Sequence, residues 1–86
     1  MTNTAIAHEL LRQARELADH GDNLYRVRAY RRAAAELFGL ERPASEIVAD
    51  DGPRGLMILP GVGESLAKTI AELAAIPSHV RASGVA

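Results

Sequence analysis

An all-α fold, a compact bundle of about four to five short helices, is what this chain predicts. Hydrophobic residues fill 48% of the 86 positions, mostly as Ala and Leu, and aromatic residues only 3%. No stretch alternates apolar and polar residues at strand period, whereas apolar residues recur at helical spacing between Gly and Pro punctuation. A chain this short supports one core and no second. Residues 1–86 are therefore read as a single domain, with a core over about 5–76 and frayed ends.

The elements follow in order. Thr4 is the expected cap of a first helix running to about Asp19, with Ile6, Leu10, Ala14 and Leu17 on one face and Ala7, Leu11 and Ala18 beside them. Gly21 ends it as a left-handed cap. Asp22 or Asn23 caps a second helix, Leu24 to Phe38, closed by Gly39; its apolar arc holds Leu24, Val27, Tyr30, Ala34, Leu37 and Phe38. Pro43 and Ser45 open a short third helix through Ile47 and Val48, ended by Asp50-Asp51-Gly52. Arg54 to Ile58 forms a fourth, and Gly63 to about Ala75 a fifth, facing the core with Leu66, Ala67, Ile70, Leu73 and Ala74 and stopped by Pro77. One more turn is expected within 78–86.

Composition excludes several classes. There is no cysteine, hence no disulfide and no thiolate metal site. His8, His20 and His79 show no ligand spacing and read as surface residues. No apolar run reaches 18 residues and no signal peptide is visible, so a soluble, cytoplasmic protein is expected. Net charge is −1, low for a free-standing nucleic-acid binder. The positive charge is nevertheless uneven: Arg26, Arg28, Arg31 and Arg32 fall within seven residues, while acids gather at Glu9–Asp22 and Glu36–Asp51. A local basic face binds phosphate even when the whole chain is near neutral.

The stretch Leu59-Pro60-Gly61-Val62-Gly63-Glu64-Ser65-Leu66-Ala67-Lys68-Thr69-Ile70 carries the chemistry. Pro60 cannot continue a helix. Gly61 and Gly63 permit positive φ and leave no side chain between the backbone and a ligand. The following helix presents unpaired N–H groups and a partial positive charge, for which phosphate is the natural guest. The bland alternative is a tight turn between two helices. The stretch resembles a helix-hairpin-helix, the module with which many repair and replication proteins hold a nucleic-acid backbone without reading bases.

The second helix supplies the companion feature. Arg26 and Tyr30 lie one turn apart at one edge of the apolar arc, and Arg28 and Arg32 on the outer face. Arg31 falls close to the arc, where it is either a partly buried guanidinium paired with a carboxylate or a nucleic-acid contact. Arg28 or Arg32 alone reads as a solvated face. Four arginines beside two tyrosines read as a phosphate-gripping cluster with a base-stacking ring.

Asn23-Leu24-Tyr25-Arg26-Val27-Arg28-Ala29-Tyr30-Arg31-Arg32-Ala33-Ala34, followed by Leu59-Pro60-Gly61-Val62-Gly63, resembles the N-terminal eight-kilodalton domain of family X DNA polymerases over about residues 5–76. The bacterial members, and relatives carrying a PHP phosphoesterase domain, look closer still. The resemblance implies a compact helical domain that binds the 5′-phosphate side of a DNA gap. In some members the domain also removes a 5′-deoxyribose phosphate through a lysine Schiff base. By position, Arg26 and Tyr30 match phosphate-pocket residues, Tyr25 a template-stacking position, and Arg81 a further basic residue. Ser65 and Met57 stand where relatives place lysines. The backbone carbonyls of Met57, Leu59 and Val62 match those that hold a sodium or potassium ion bridging to a DNA phosphate.

The Schiff-base lysine aligns with Thr69, whose hydroxyl cannot form an imine. Lys68, the only lysine, reads as a solvated residue, or in a shifted register as the nucleophile. A polymerase site would need a carboxylate cluster on a separate sheet, for which the chain has no room. Asp50-Asp51 reads as a helix end and turn.

The reading is a monomeric module that binds DNA backbone without sequence specificity at gaps, nicks or single-strand junctions, needing no cofactor beyond a monovalent cation. Its contacts are Tyr25, Arg26, Arg28, Tyr30, Arg32, Gly61, Val62, Gly63, Ser65 and Lys68. Two alternatives stand beside it: a residual lyase using Lys68, and an adaptor to a separately encoded polymerase or nuclease, with a polymerase or a PHP-type phosphoesterase as the expected protein partner.

Overall fold

Four α-helices and one 3₁₀ helix make up the computed structural model, which describes residues 1–77. They are α1 (Asn3–Asp19), α2 (Leu24–Gly39), α3 (Ala44–Asp51), the 3₁₀ helix (Pro53–Ile58) and α4 (Glu64–Ala74). Among the described residues there is no strand. The turn expected within 78–86, together with His79 and Arg81, lies outside the described residues.

α1 and α2 pack along each other as an antiparallel pair, so that His8 near the start of α1 meets Phe38 near the end of α2, ring edge to face at 5.3 Å. α1 starts earlier than expected because Thr2, not Thr4, is the cap: its hydroxyl accepts from the Ala5 N–H at 3.1 Å. It ends on Gly21 in a Schellman arrangement, with the Asp22 N–H on the Leu17 carbonyl and the Gly21 N–H on that of Ala18. Asn23 caps α2 through its side-chain oxygen, which accepts from the Tyr25 N–H at 2.8 Å. Gly39 is the last residue of α2 and is not left-handed.

The core draws Ile6, Ala7, Leu10 and Ala14 from α1, Val27, Tyr30, Ala33, Ala34 and Leu37 from α2, and Ala44 and Ile47 from α3. Leu56, Leu59, Val62, Leu66, Ala67, Ile70, Ala71 and Ala74 complete it. Among the described residues no polar or charged side chain is buried. The apolar arcs are narrower than sequence spacing suggested. Leu24 and Phe38 are half-exposed or more, because Leu24 stands on the first turn of α2 and Phe38 leans outward onto His8. Leu11 and Ala18 are exposed, and Leu17 and Leu73 only partly buried.

Asn3, in the segment expected to fray, ties α1 to the α2–α3 loop. Its amide donates to the carbonyls of Leu40 and Arg42, and its oxygen accepts from the Ala44 N–H at 2.8 Å. α3 has no side-chain cap of its own, so Asn3 supplies one from across the fold. The element before the hairpin is a 3₁₀ helix rather than an α-helix. It lies so close to α3 that a Cβ at Gly55 would come within 2.8 Å of Asp51 Cβ and 2.9 Å of Ile47 Cγ2.

Candidate nucleic-acid interface

Leu59-Pro60-Gly61-Val62 forms a type II turn. Pro60 sits at the position that favours its fixed φ, Gly61 has φ +80°, and the Val62 N–H closes on the Leu59 carbonyl at 3.1 Å. Leu59 and Val62 are buried, which pins both ends of the turn to the core. Gly63 differs from expectation: at φ −91° it uses no left-handed conformation. It is the N-cap of α4, its carbonyl accepts from the Ala67 N–H at 2.9 Å, and a Cβ there would meet nothing within 4 Å. The space above it is open. α4 has no side-chain cap, so the amides of its first turn, Glu64, Ser65 and Leu66, face outward with the positive end of the helix dipole.

The arginine helix divides into two tracks. Tyr25, Arg28 and Arg32 share one exposed face of α2 at i, i+3 and i+7. That face leads to the hairpin: a Cβ at Gly61 would lie 3.0 Å from Arg32 Cδ, so the stem of Arg32 rests on the turn. Tyr25 stands at the far end, 81% exposed. Arg28 and Arg32 are like charges one turn apart, a spacing that costs an isolated helix about 0.2–0.5 kcal/mol, so stability does not explain it.

Arg26 and Tyr30 turn instead toward α1. They line a groove of about 420 Å³ with Arg12, Gln13, Glu16 and His20. The Arg26 guanidinium carbon is 5.9 Å from the centre of the Tyr30 ring, and its Nη1 is 3.8 Å from Asp22. Tyr30 is only 8% exposed, so its ring is a wall of the groove, and Tyr25 is the ring free to stack on a base. Glu9 accepts from Arg12 and Gln13, which holds its carboxyl below the usual carboxylate range; Arg12 also pairs with Glu16. Arg31 is exposed and, among the described residues, has no carboxylate partner, which removes the buried ion-pair reading.

Lys68 belongs to neither track. It is exposed on α4 and lines a separate cleft with Arg54, Met57 and Glu64. Thr69 donates its hydroxyl to the Ser65 carbonyl at 3.2 Å, a local bond within α4. Ser65 is exposed beside the hairpin. The carbonyl of Leu59 is engaged by Val62 on one lone pair and retains the other. Among the described residues no three acidic or histidine side chains gather to hold a metal ion, and no helix is long and apolar enough to cross a membrane.

Sequence reasoning missed two features of this region. Arg54 was read only as the start of a helix, and the contact of Arg32 with Gly61 joins residues nearly thirty positions apart that no spacing rule connects.

The family model for the helix-hairpin-helix domain matches residues 1–76, from the cap of α1 to the end of α4. No curated protein and no solved structure matches the chain. With a type II turn delivering an uncapped helix, and a match over nearly its whole length, the chain belongs to the helix-hairpin-helix domain family.

Proposed function

We propose that this domain binds DNA backbone without reading sequence, at gaps, nicks or single-strand junctions. The observation that carries this reading is the contact of Arg32 with Gly61, which makes the arginine face of α2 and the open amides of α4 one surface. Helix-hairpin-helix domains in general bind DNA without sequence specificity. One phosphate sits over Gly63 and the amides of Glu64 and Ser65. Arg28 and Arg32 take neighbouring phosphates, and Tyr25 stacks on an unpaired base. Arg26 and Tyr30 line the groove that would take a terminal 5′-phosphate, the role implied by likeness to family X polymerase domains. That role requires Arg26 to exchange Asp22 for the phosphate, a small cost for an exposed pair. The carbonyls of Met57, Leu59 and Val62 suit a sodium or potassium ion that bridges to the same phosphate.

Gly63→Asp is the decisive variant. Aspartate is a preferred N-cap, φ −91° suits it, and open space receives it. Its carboxylate occupies the phosphate position and bonds the same amides. The expected outcome is an unchanged or slightly raised unfolding midpoint together with lost binding to a gapped duplex, read by fluorescence anisotropy. Full binding by this variant would remove the hairpin site. Comparing gapped duplexes with and without a 5′-phosphate tests the groove: equal affinities would exclude the terminal-phosphate role. Replacing potassium by a bulky organic cation at constant ionic strength tests the carbonyl site, and should weaken binding.

A further inference from the structure

A cleft of about 300 Å³ lies between the 3₁₀ helix and the outer side of α4, sharing no residue with either arginine track. Pro53, Met57 and Ala67 give it apolar walls, and Arg54, Lys68 and Glu64 bring charge to it. Arg54 and Lys68 are exposed and, among the described residues, take part in none of the ion pairs, which use Arg12, Arg26 and Arg42. Glu64 opens α4 and Lys68 stands four residues further on, about 6 Å along the helix. Lys68 thus stands about one turn along α4 from the open amides of the hairpin, and Arg54 reaches the same cleft from the 3₁₀ helix.

We propose that this cleft seats a second phosphate of the DNA strand held by the hairpin, between Arg54 and Lys68, with its deoxyribose against Met57 and Pro53. The inference rests on the DNA-binding reading above and extends its footprint to a side of α4 away from the arginine helix. Two cations would also accept a carboxylate of an acidic peptide. The apolar walls, of a size to cover a sugar, and the nearness of the hairpin amides favour a nucleotide. Glu64 lines the same cleft, and its carboxylate opposes the anion. The seat is therefore a weak one whose strength is set by Glu64, and neutralising that residue strengthens it.

The test is gapped-duplex affinity at about 50 and 200 mM salt for the wild type, the double variant Arg54→Ala with Lys68→Ala, Glu64→Gln, and Arg15→Ala as an exposed cation of α1 outside the cleft. The double variant should bind more weakly, and its loss on raising salt should be about threefold smaller than the wild type's, because one phosphate fewer is neutralised. Glu64→Gln should tighten binding, and Arg15→Ala should leave affinity and salt response unchanged. Both cleft cations are exposed, and unchanged helical circular dichroism confirms folding. Wild-type affinity and salt response in the double variant, with Gly63→Asp still inactive, would overturn the second seat and leave the hairpin reading intact. An equal effect of Arg15→Ala would also overturn it, by showing a diffuse field in place of a seat. No binding by the wild type at low salt would overturn both.

Discussion

Gly61 and Gly63 do different work two residues apart. Gly61 is needed for its own backbone, since φ +80° at the third position of a type II turn penalises any Cβ, and for its neighbour, because the Arg32 stem fills the space a Cβ would take. Gly63 is needed by neither, and its missing side chain matters only to a ligand. Gly61→Ala is expected to destabilise the domain by about 1–2 kcal/mol from the left-handed strain alone. In a domain of this size that lowers the melting temperature by about 4–8 °C per kcal/mol. An unchanged melting temperature would mean that the turn adopts another conformation. Thr69 bonds its hydroxyl back to its own helix, at the Ser65 carbonyl.

Among the elements, the 3₁₀ helix and α4 present the hairpin, while α1 and α2 form the wall that carries the arginines. α3 joins the two halves through contacts that local propensity does not encode. Asn3 is one of them. Its side chain satisfies the Ala44 N–H at the start of α3 and two loop carbonyls, so Asn3→Ala leaves an orphaned amide and should cost about 1–3 kcal/mol. Chemical denaturation reads that loss, and no measurable change would show that water replaces all three bonds. Gly55 is another, since only its lack of a side chain lets the 3₁₀ helix approach α3 at Asp51 and Ile47.

For the whole molecule, a net charge of −1 means that affinity for DNA comes from placement rather than from excess charge. The cations of the hairpin side face outward, whereas Arg12 and Arg42 are engaged by acids on α1 and α3. The α1 cluster adds a pH dependence. The Arg12 and Gln13 hydrogen bonds lower the Glu9 carboxyl in the folded state, so its contribution to stability is present above the ordinary carboxylate range and is lost as pH falls through the lowered value. Glu9→Gln should therefore differ from the wild type in unfolding midpoint at neutral pH and converge with it in acid. A difference that persists in acid would assign the effect to packing.

The sequence by itself determined the helical class, the order of the elements, the cap at Gly21, the start of α2 at Asp22 or Asn23, and the hairpin at Leu59–Gly63. These are set within a few residues, by φ restrictions, caps and periodicity, and need no distant partner. The tertiary structure alone decided which arginines act together. Helical spacing put Arg26 and Tyr30 at one edge of the apolar arc and Arg28 and Arg32 on the outer face, but only the docking of the hairpin on α2 shows that Arg32 meets Gly61 while Arg26 faces α1. The packing of the 3₁₀ helix on α4 sets Arg54 and Lys68, fourteen positions apart, on one cleft, and Leu24 and Phe38 are left uncovered. Periodicity fixes a residue's direction from its own helix axis, and only the packed neighbours determine what that direction meets.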